Sequence, residues 1–359
     1  MSTQNVDDPV VTEATKSTYL SFVRRLYARD PGYCATSEFS LVSALDRSTA
    51  FFRSCFLRPL VVERGGEVQA ACILVHDRAL PAVQVAFFEA LPDVQPAVDV
   101  LLAAAKDEAE RRGLDRVVVG LNGHLSIGVG ILTDGFGRAT FASSWNKPYY
   151  AAYFSGHERH DLTTYGGSVD DAIRLVRSVA RSVPTDDVTV RTADPRRWDD
   201  ELEVFRRLCD ATLGTTADYA PTLPGHFADL MRDLLPFLRP ENLLFAVADG
   251  REVGFVFWHP DFNEVLPTGR ALSIPTIAWR LLTRRRRIRT VVGNAIGKLP
   301  DAPKGTTAAL MARLADELDG RYDTYETCFV WDGNGRSREM LGRYLGGLPA
   351  RSFAVWELR

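Results

Sequence analysis

The chain has 359 residues, 46% hydrophobic and 25% charged, enough for two domain-sized cores and incompatible with wholesale disorder. Its formal charge of −3 supplies no basic field for nucleic acid, and no apolar run approaches the ~20 residues of a membrane helix, so neither partner is expected. The polar, acidic N-terminus has no secretory pattern, and five scattered Cys without CxxC spacing argue against a disulfide framework, which makes a cytoplasmic location the expectation.

In chain order, the first half begins with a short strand at Val10–Ala14 and amphipathic stretches over 16–29 and 40–57. Two apolar strands follow, Leu60 to Arg64 and Val68 to Val75. Gly65-Gly66 joins them as a hairpin turn, because both positions can take φ > 0. A strand at Val83–Leu91, a helix over 97–112 ended by Gly113, and a strand at Arg116–Leu121 come next. Asn122 stands after that strand, a Gly- and Ser-rich insertion fills 123–147, and a helix-like stretch and strand close the half over 148–165. A helical connector over 168–182 leads to the turn before Val188.

The second half repeats the plan. It has a strand at Val188–Thr192, helices over 197–210 and 225–238, and a hairpin from Leu243 to Trp258 around Asp249-Gly250. Then come a strand at Ile288–Leu299, a helix over 306–319 ended by Gly320, a strand at Tyr322–Val330, Asn334, and a closing stretch over 336–358. Its own insertion, 259–287, runs from His259 to Arg284–Arg287. The six His show no HExxH or ligand-spaced cluster, so no metal is expected, and neither a GxSxG elbow nor a P-loop is present.

Strand, two helices, hairpin, strand, helix, strand, helix, strand resembles the GNAT acyltransferase plan. Seen twice, it resembles a tandem GNAT protein of a two-domain bacterial group. The resemblance rests on Phe87-Phe-Glu89, Gly120-Leu-Asn122, Gly130 to Phe136, Asn146-Lys-Pro-Tyr-Tyr150, Pro260-Asp-Phe-Asn-Glu264, Arg285 to Thr290 and Leu345-Gly-Gly347. It implies an α/β (α+β) fold of two tandem domains, each a mixed, mostly antiparallel sheet flanked by helices. The expected boundaries are 1–167, a linker at 168–186, and 187–359. It further implies N-acyl transfer from acyl-CoA, acetyl-CoA or a longer thioester, to the amine of a small metabolite. GNAT enzymes hold that donor where the fourth and fifth strands part, with the pyrophosphate on N–H groups opening the next helix.

Onto this sequence the resemblance carries a cofactor loop at Lys298 and Leu299 through Lys304, Gly305, Thr306 and Thr307, with Asn334 beyond. The loop is about one residue short, and Lys-Gly-Thr-Thr is also an ordinary capped helix start. The matching first-half loop, Pro92 to Ala97, has no glycine and carries Asp93, so that half is expected to be degenerate. Catalytic candidates are Glu326, Glu264 and Tyr344; substrate-contact candidates are Asn263, Asn122 and Glu89. Each also has a plain reading as a surface, turn or core residue. Arg284–Arg287 reads as a solvated helix end or as a docking patch for CoA phosphates or an acidic acyl-carrier protein. The alternatives are a catalytically silent GNAT-like binding protein, or an acyltransferase that takes its acyl group from a carrier-protein thioester.

Overall fold

The structure is a computed structural model and describes residues 8–358 apart from Thr215, Ala217 and Asp233. Two compact units form. The first takes the chain to Leu162, plus Pro267–Leu272 and the residues from Ser352; the second takes Thr163–Leu266 and Ser273–Arg351.

The first unit contains β1 (Val10–Glu13), α1 (Lys16–Leu26), α2 (Phe39–Asp46), α3 (Ala50–Ser54), β2 (Phe56–Arg64) and β3 (Glu67–His76). It continues with β4 (Val83–Ala90), α4 (Gln95–Arg111), β5 (Val117–Val119) and β6 (Ile131–Asp134). The stretch expected as one helix over 40–57 is broken at Arg47, whose backbone is left-handed, and Phe56 already begins β2. The β2–β3 turn places Gly65 and Gly66 at φ 59 and 79, a conformation that glycine adopts without a Cβ clash. α4 lays Val98, Leu101, Leu102 and Ala105 at helical spacing against the sheet residues Leu60, Leu74 and Val85.

Strand β7 (Glu158–Ser168) leads from the first unit into the second. There follow α5 (Val169–Ala180), β8 (Thr189–Thr192), α6 (Trp198–Leu213), α7 (His226–Met231), β9 (Leu243–Ala248) and β10 (Arg251–Pro260). Then come α8 (Ile274–Arg284), β11 (Thr290–Lys298), α9 (Thr306–Leu318), β12 (Thr324–Thr327), β13 (Val330–Trp331), α10 (Gly335–Tyr344) and β14 (Leu348–Leu358). Side-chain alternation splits β10 between two cores. Phe255 and Phe257 pack with Phe205 of α6, while Val256 and Trp258 pack with Leu310 and Met311 of α9.

Most neighbouring strands in each unit are antiparallel, and each unit holds a parallel pair, β4 with β5 in the first and β11 with β12 in the second. The closing strands are exchanged. β5 pairs with the end of β14, Trp356 opposite Val119, and Arg116 bonds Glu357 at 2.9 Å. β12 pairs with the end of β7, Tyr325 opposite Gly167. Each unit thus takes its closing strand from beyond its own half of the chain or from the segment that joins the halves. The helix expected as a linker, α5, packs with α9 in the second core, and Pro267–Leu272 joins the first unit by bonds of Gly269 to Arg29 and Tyr33.

Candidate functional site

In each unit the parallel pair is short and its two strands then separate. β4 and β5 are in register only over Val83–Val85 and Val117–Val119, while β4 runs on to Ala90. β11 and β12 are in register over Thr290–Gly293 and Thr324–Thr327, while β11 runs on to Lys298. Past these points one strand edge has lost its neighbour. A row of unpaired amides must then find another partner, in the protein or in a ligand.

In the first unit the protein fills that row itself. Phe87 N–H donates to Asn122 Oδ1 at 2.8 Å, and the Gln84 side chain bonds both N–H and C=O of Gly123. The 3₁₀ segment Pro148–Phe154 supplies three phenols. Tyr150 Oη accepts from Ala90 N–H at 2.9 Å, Tyr149 donates to Ala90 O at 2.8 Å, and Tyr153 donates to Leu91 O. Val94 N–H, in the loop expected to face a pyrophosphate, also bonds Tyr153 Oη. The residues present do not fit a pantetheine arm here, because its hydrogen bonds are already made.

Glu89 lies within this sealed gap. Tyr27 and Tyr150 both donate to its Oε2, at 2.7 and 2.6 Å. Loss of water around the carboxyl outweighs these bonds and pushes its pKa up to about 8. The unfolded carboxyl titrates near ~4.3. Between these values the native state keeps a proton that the unfolded chain has released, so stability falls as pH rises, by at most ~1.4 kcal/mol per pH unit. Glu89→Gln is expected to flatten this part of a Tm–pH profile. An unchanged slope in the variant would assign the dependence to another group.

The second unit differs at the same place. Cys328 N–H bonds Gly293 O at 2.7 Å and marks the last tie between the strands. A Cβ built on Gly293 would meet no atom within 4 Å, so there is room for a side chain beside the vertex on that face of the sheet. Leu299 N–H bonds Val253 O, which sets the alternation along β10 and β11. Ile296 and Lys298 therefore aim their amides away from β10, toward the side that β12 has left. Asn294 to Gly297 are half-buried and Lys298 is exposed, unlike the mostly buried β4. Among the described residues, this row is the one that fits a pantetheine arm.

The loop before α9 is partly committed to the fold. Gly305 lies against the Ser182–Asp187 turn, where an added Cβ would come 2.1 Å from Pro184 O. Its lack of a side chain is thus a packing requirement. Thr306 is fully buried, and its hydroxyl donates to Pro303 O at 2.8 Å. Lys304 is exposed and Thr307 half-buried at the helix start.

The other predicted residues are dispersed. Glu326 stands opposite Val292, one residue before the vertex, where it accepts bonds from Thr164 at 2.9 Å and Arg351 at 3.0 Å. Glu264 accepts the N–H groups of Arg289 and Thr290 at 2.7 and 3.1 Å and so anchors the entry to β11. Asn263 is buried in a turn closed by Asp261. Asn334 caps α10 by accepting from Ser337 N–H at 3.1 Å. Tyr344 is buried in the core with α5 and α9. His259 is buried against Phe257 and Phe262, and desolvation lowers its pKa to about 4, so it is neutral at pH 7.

Sequence reasoning missed Arg351, Thr164 and Gly293. No local pattern marks them, since β7 and β11 meet β12 only through pairing and Arg351 of β14 reaches Glu326 only by its side chain. The tyrosines of 148–154 were visible as a cluster, but their carbonyl and amide partners on β4 lie about 60 residues away in sequence.

No family model matches the chain. A bacterial ceramide synthase from Caulobacter vibrioides (strain NA1000 / CB15N) is 23% identical over 371 residues, 97% of this chain and 96% of its own. A solved tandem GNAT protein from the clavulanic acid biosynthesis pathway aligns with a TM-score of 0.57 and 15% identity, covering 98% of each chain. A GCN5-related N-acetyltransferase from Sphaerobacter thermophilus gives 0.51 and 12%, covering 98% of this chain and 95% of its own. These likenesses run the length of the chain and coincide with a parallel pair that parts in each unit: the chain is a tandem GNAT-fold protein.

Proposed function

We propose that the protein is an acyltransferase that moves an acyl group from acyl-CoA to an amine, with the donor held in the second unit. The observation that carries this reading is the contrast between the gaps. The first is sealed by Asn122, Tyr149, Tyr150 and Tyr153, and the second opens beside Gly293. The amides of Ile296 and Lys298 would pair with the pantetheine arm. Lys304 and the first turn of α9 would face the pyrophosphate, where exposed N–H groups and a cation both favour an anion. Glu326 would receive the proton that the acceptor amine releases, directly or through water. The amine nitrogen attacks the thioester carbon, the C–S bond breaks, and the thiolate departs to take up a proton.

The acceptor we infer is a long-chain amino alcohol or a related lipid-like amine. A ceramide is the amide of such an amine with a fatty acid, and the relative of matching length is a ceramide synthase. The closing experiment is a calorimetric titration with acetyl-CoA and with a long-chain acyl-CoA, followed by mass spectrometry of reactions containing a long-chain amino alcohol. One donor site per chain and an amide product are expected. Two equal sites per chain would overturn the asymmetry. One site without any amide product would favour a silent binding protein, the reading that the sealed first gap already favours for its own unit.

A further inference from the structure

We propose that α8 is a membrane-surface anchor that lies on anionic lipid. Ser273 precedes the helix and Pro275 stands in its first turn, where a missing N–H costs nothing. Ile277 and Leu281, four apart, face inward. The opposite side is apolar where a solvated helix would be polar. Ile274 is 72% exposed, Trp279 56% and Leu282 72%, three of the six large hydrophobic residues exposed among those described. They fall at helical spacing on one face, with Pro275 and Ala278 beside them.

Charge continues this face. Residues 274–289 hold six Arg and no Asp or Glu, in a chain whose net charge is −3. Arg285 is turned inward, donating to Phe237 O at 2.6 Å, and this fixes the helix end to the body of the unit. Arg284, Arg286 and Arg287 make no ion pair among the described residues, and Arg284 lies 6.0 Å over the Trp279 ring. An exposed Ile–Trp–Leu stripe ending in free guanidinium groups suits the lipid interface. There the apolar side chains enter the acyl boundary and the cations meet phosphate headgroups.

A second copy of the same face would bring the outward arginines of one chain against those of the other and is disfavoured by that repulsion. An acidic carrier protein would explain the arginines but leave the apolar stripe in water. The absence of a spanning run, from which no membrane partner was expected, does not bear on a helix that lies flat. Among the described residues no helix is long and apolar enough to cross a bilayer. Glu264, in the turn before α8, bonds the N–H groups that open β11, and the chain from α8 runs directly into that strand, so the anchor would sit near the head of β11.

The test is co-sedimentation of the full chain with vesicles of phosphatidylcholine alone and of phosphatidylcholine mixed with phosphatidylglycerol. Binding to the mixed vesicles, weakening as salt rises, is expected. Arg286→Gln with Arg287→Gln should weaken it by about 30-fold. Trp279→Ser with Leu282→Ser should weaken it several-fold at every salt concentration. Both pairs are exposed, and an unchanged Tm would show that folding is intact. Failure to bind either vesicle, or binding that neither pair alters, would overturn the proposal. So would retention of an acidic carrier protein, lost in the arginine pair, by a chain that ignores vesicles. Vesicle binding is read without donor or acceptor, so its outcome is independent of whether the protein transfers acyl groups.

Discussion

Replacing Gly293 with leucine is expected to abolish acyl-CoA binding and to lower turnover by ~100-fold or more, since a misplaced donor loses the geometry of attack. The backbone of Gly293 is not left-handed, so a side chain there brings no strain. Nothing lies within 4 Å of the added Cβ, so the side chain starts beside the vertex without a clash at its first atom. Tm should therefore stay close to that of the wild type. The control is Gly297→Leu, whose Cβ would meet Thr212 and Phe255 at 2.6 and 2.8 Å and should destabilise the fold instead. Wild-type donor affinity in a folded Gly293→Leu protein would remove this gap from consideration as the donor site.

The second large effect is expected at Glu326. Glu326→Gln keeps an acceptor for Thr164 but neutralises the partner of Arg351, and both side chains are only about one-eighth exposed. Leaving the guanidinium without its carboxylate should cost about 1–3 kcal/mol of stability. Loss of a general base should cost about 100-fold or more in kcat. The two roles separate experimentally. Arg351→Ala breaks the same pair and should give a similar loss of Tm. If Glu326 takes the amine's proton, only Glu326→Gln should also lower kcat per folded molecule, with donor affinity unchanged. Equal kcat per folded molecule in the wild type and Glu326→Gln would leave Glu326 as a structural partner of Arg351 and nothing more.

The legible part of this protein was local. The two hairpins were readable at Gly65-Gly66 and Asp249-Gly250 because left-handed backbone needs particular residues. α4 and α9 were readable because their apolar residues recur at helical spacing. Where two signals overlapped, reading failed. The break at Arg47 and the start of β2 at Phe56 fall inside an apolar stretch that also suits a continuous helix. The candidate residues fared unevenly for the same reason. Asn334 and Glu264 stood out as polar residues at element ends. Their side chains bond backbone N–H groups at 3.1 Å and at 2.7–3.1 Å, the ordinary work of such positions.

The exposed face of α8 was written in the sequence as Ile274, Trp279, Leu282 and the arginine run. Periodicity alone does not say which side of a helix is covered, and that depended on Ile277 and Leu281 being the inward pair.

By itself the sequence determined that the chain carries one plan twice, with a hairpin, a following strand, an amphipathic helix and a further strand in each copy. Hydrophobic period and turn chemistry are properties of neighbouring residues. Only the tertiary structure decided that β14 closes the first unit and β7 the second, because strand exchange is a matter of pairing between distant segments. It also decided that the tyrosines of 148–154 bond the parted edge of β4, while beside Gly293 in the other unit there is room for a side chain. The physical reason is the same: a parted strand edge must bond to something, and what reaches it is set by how distant elements pack.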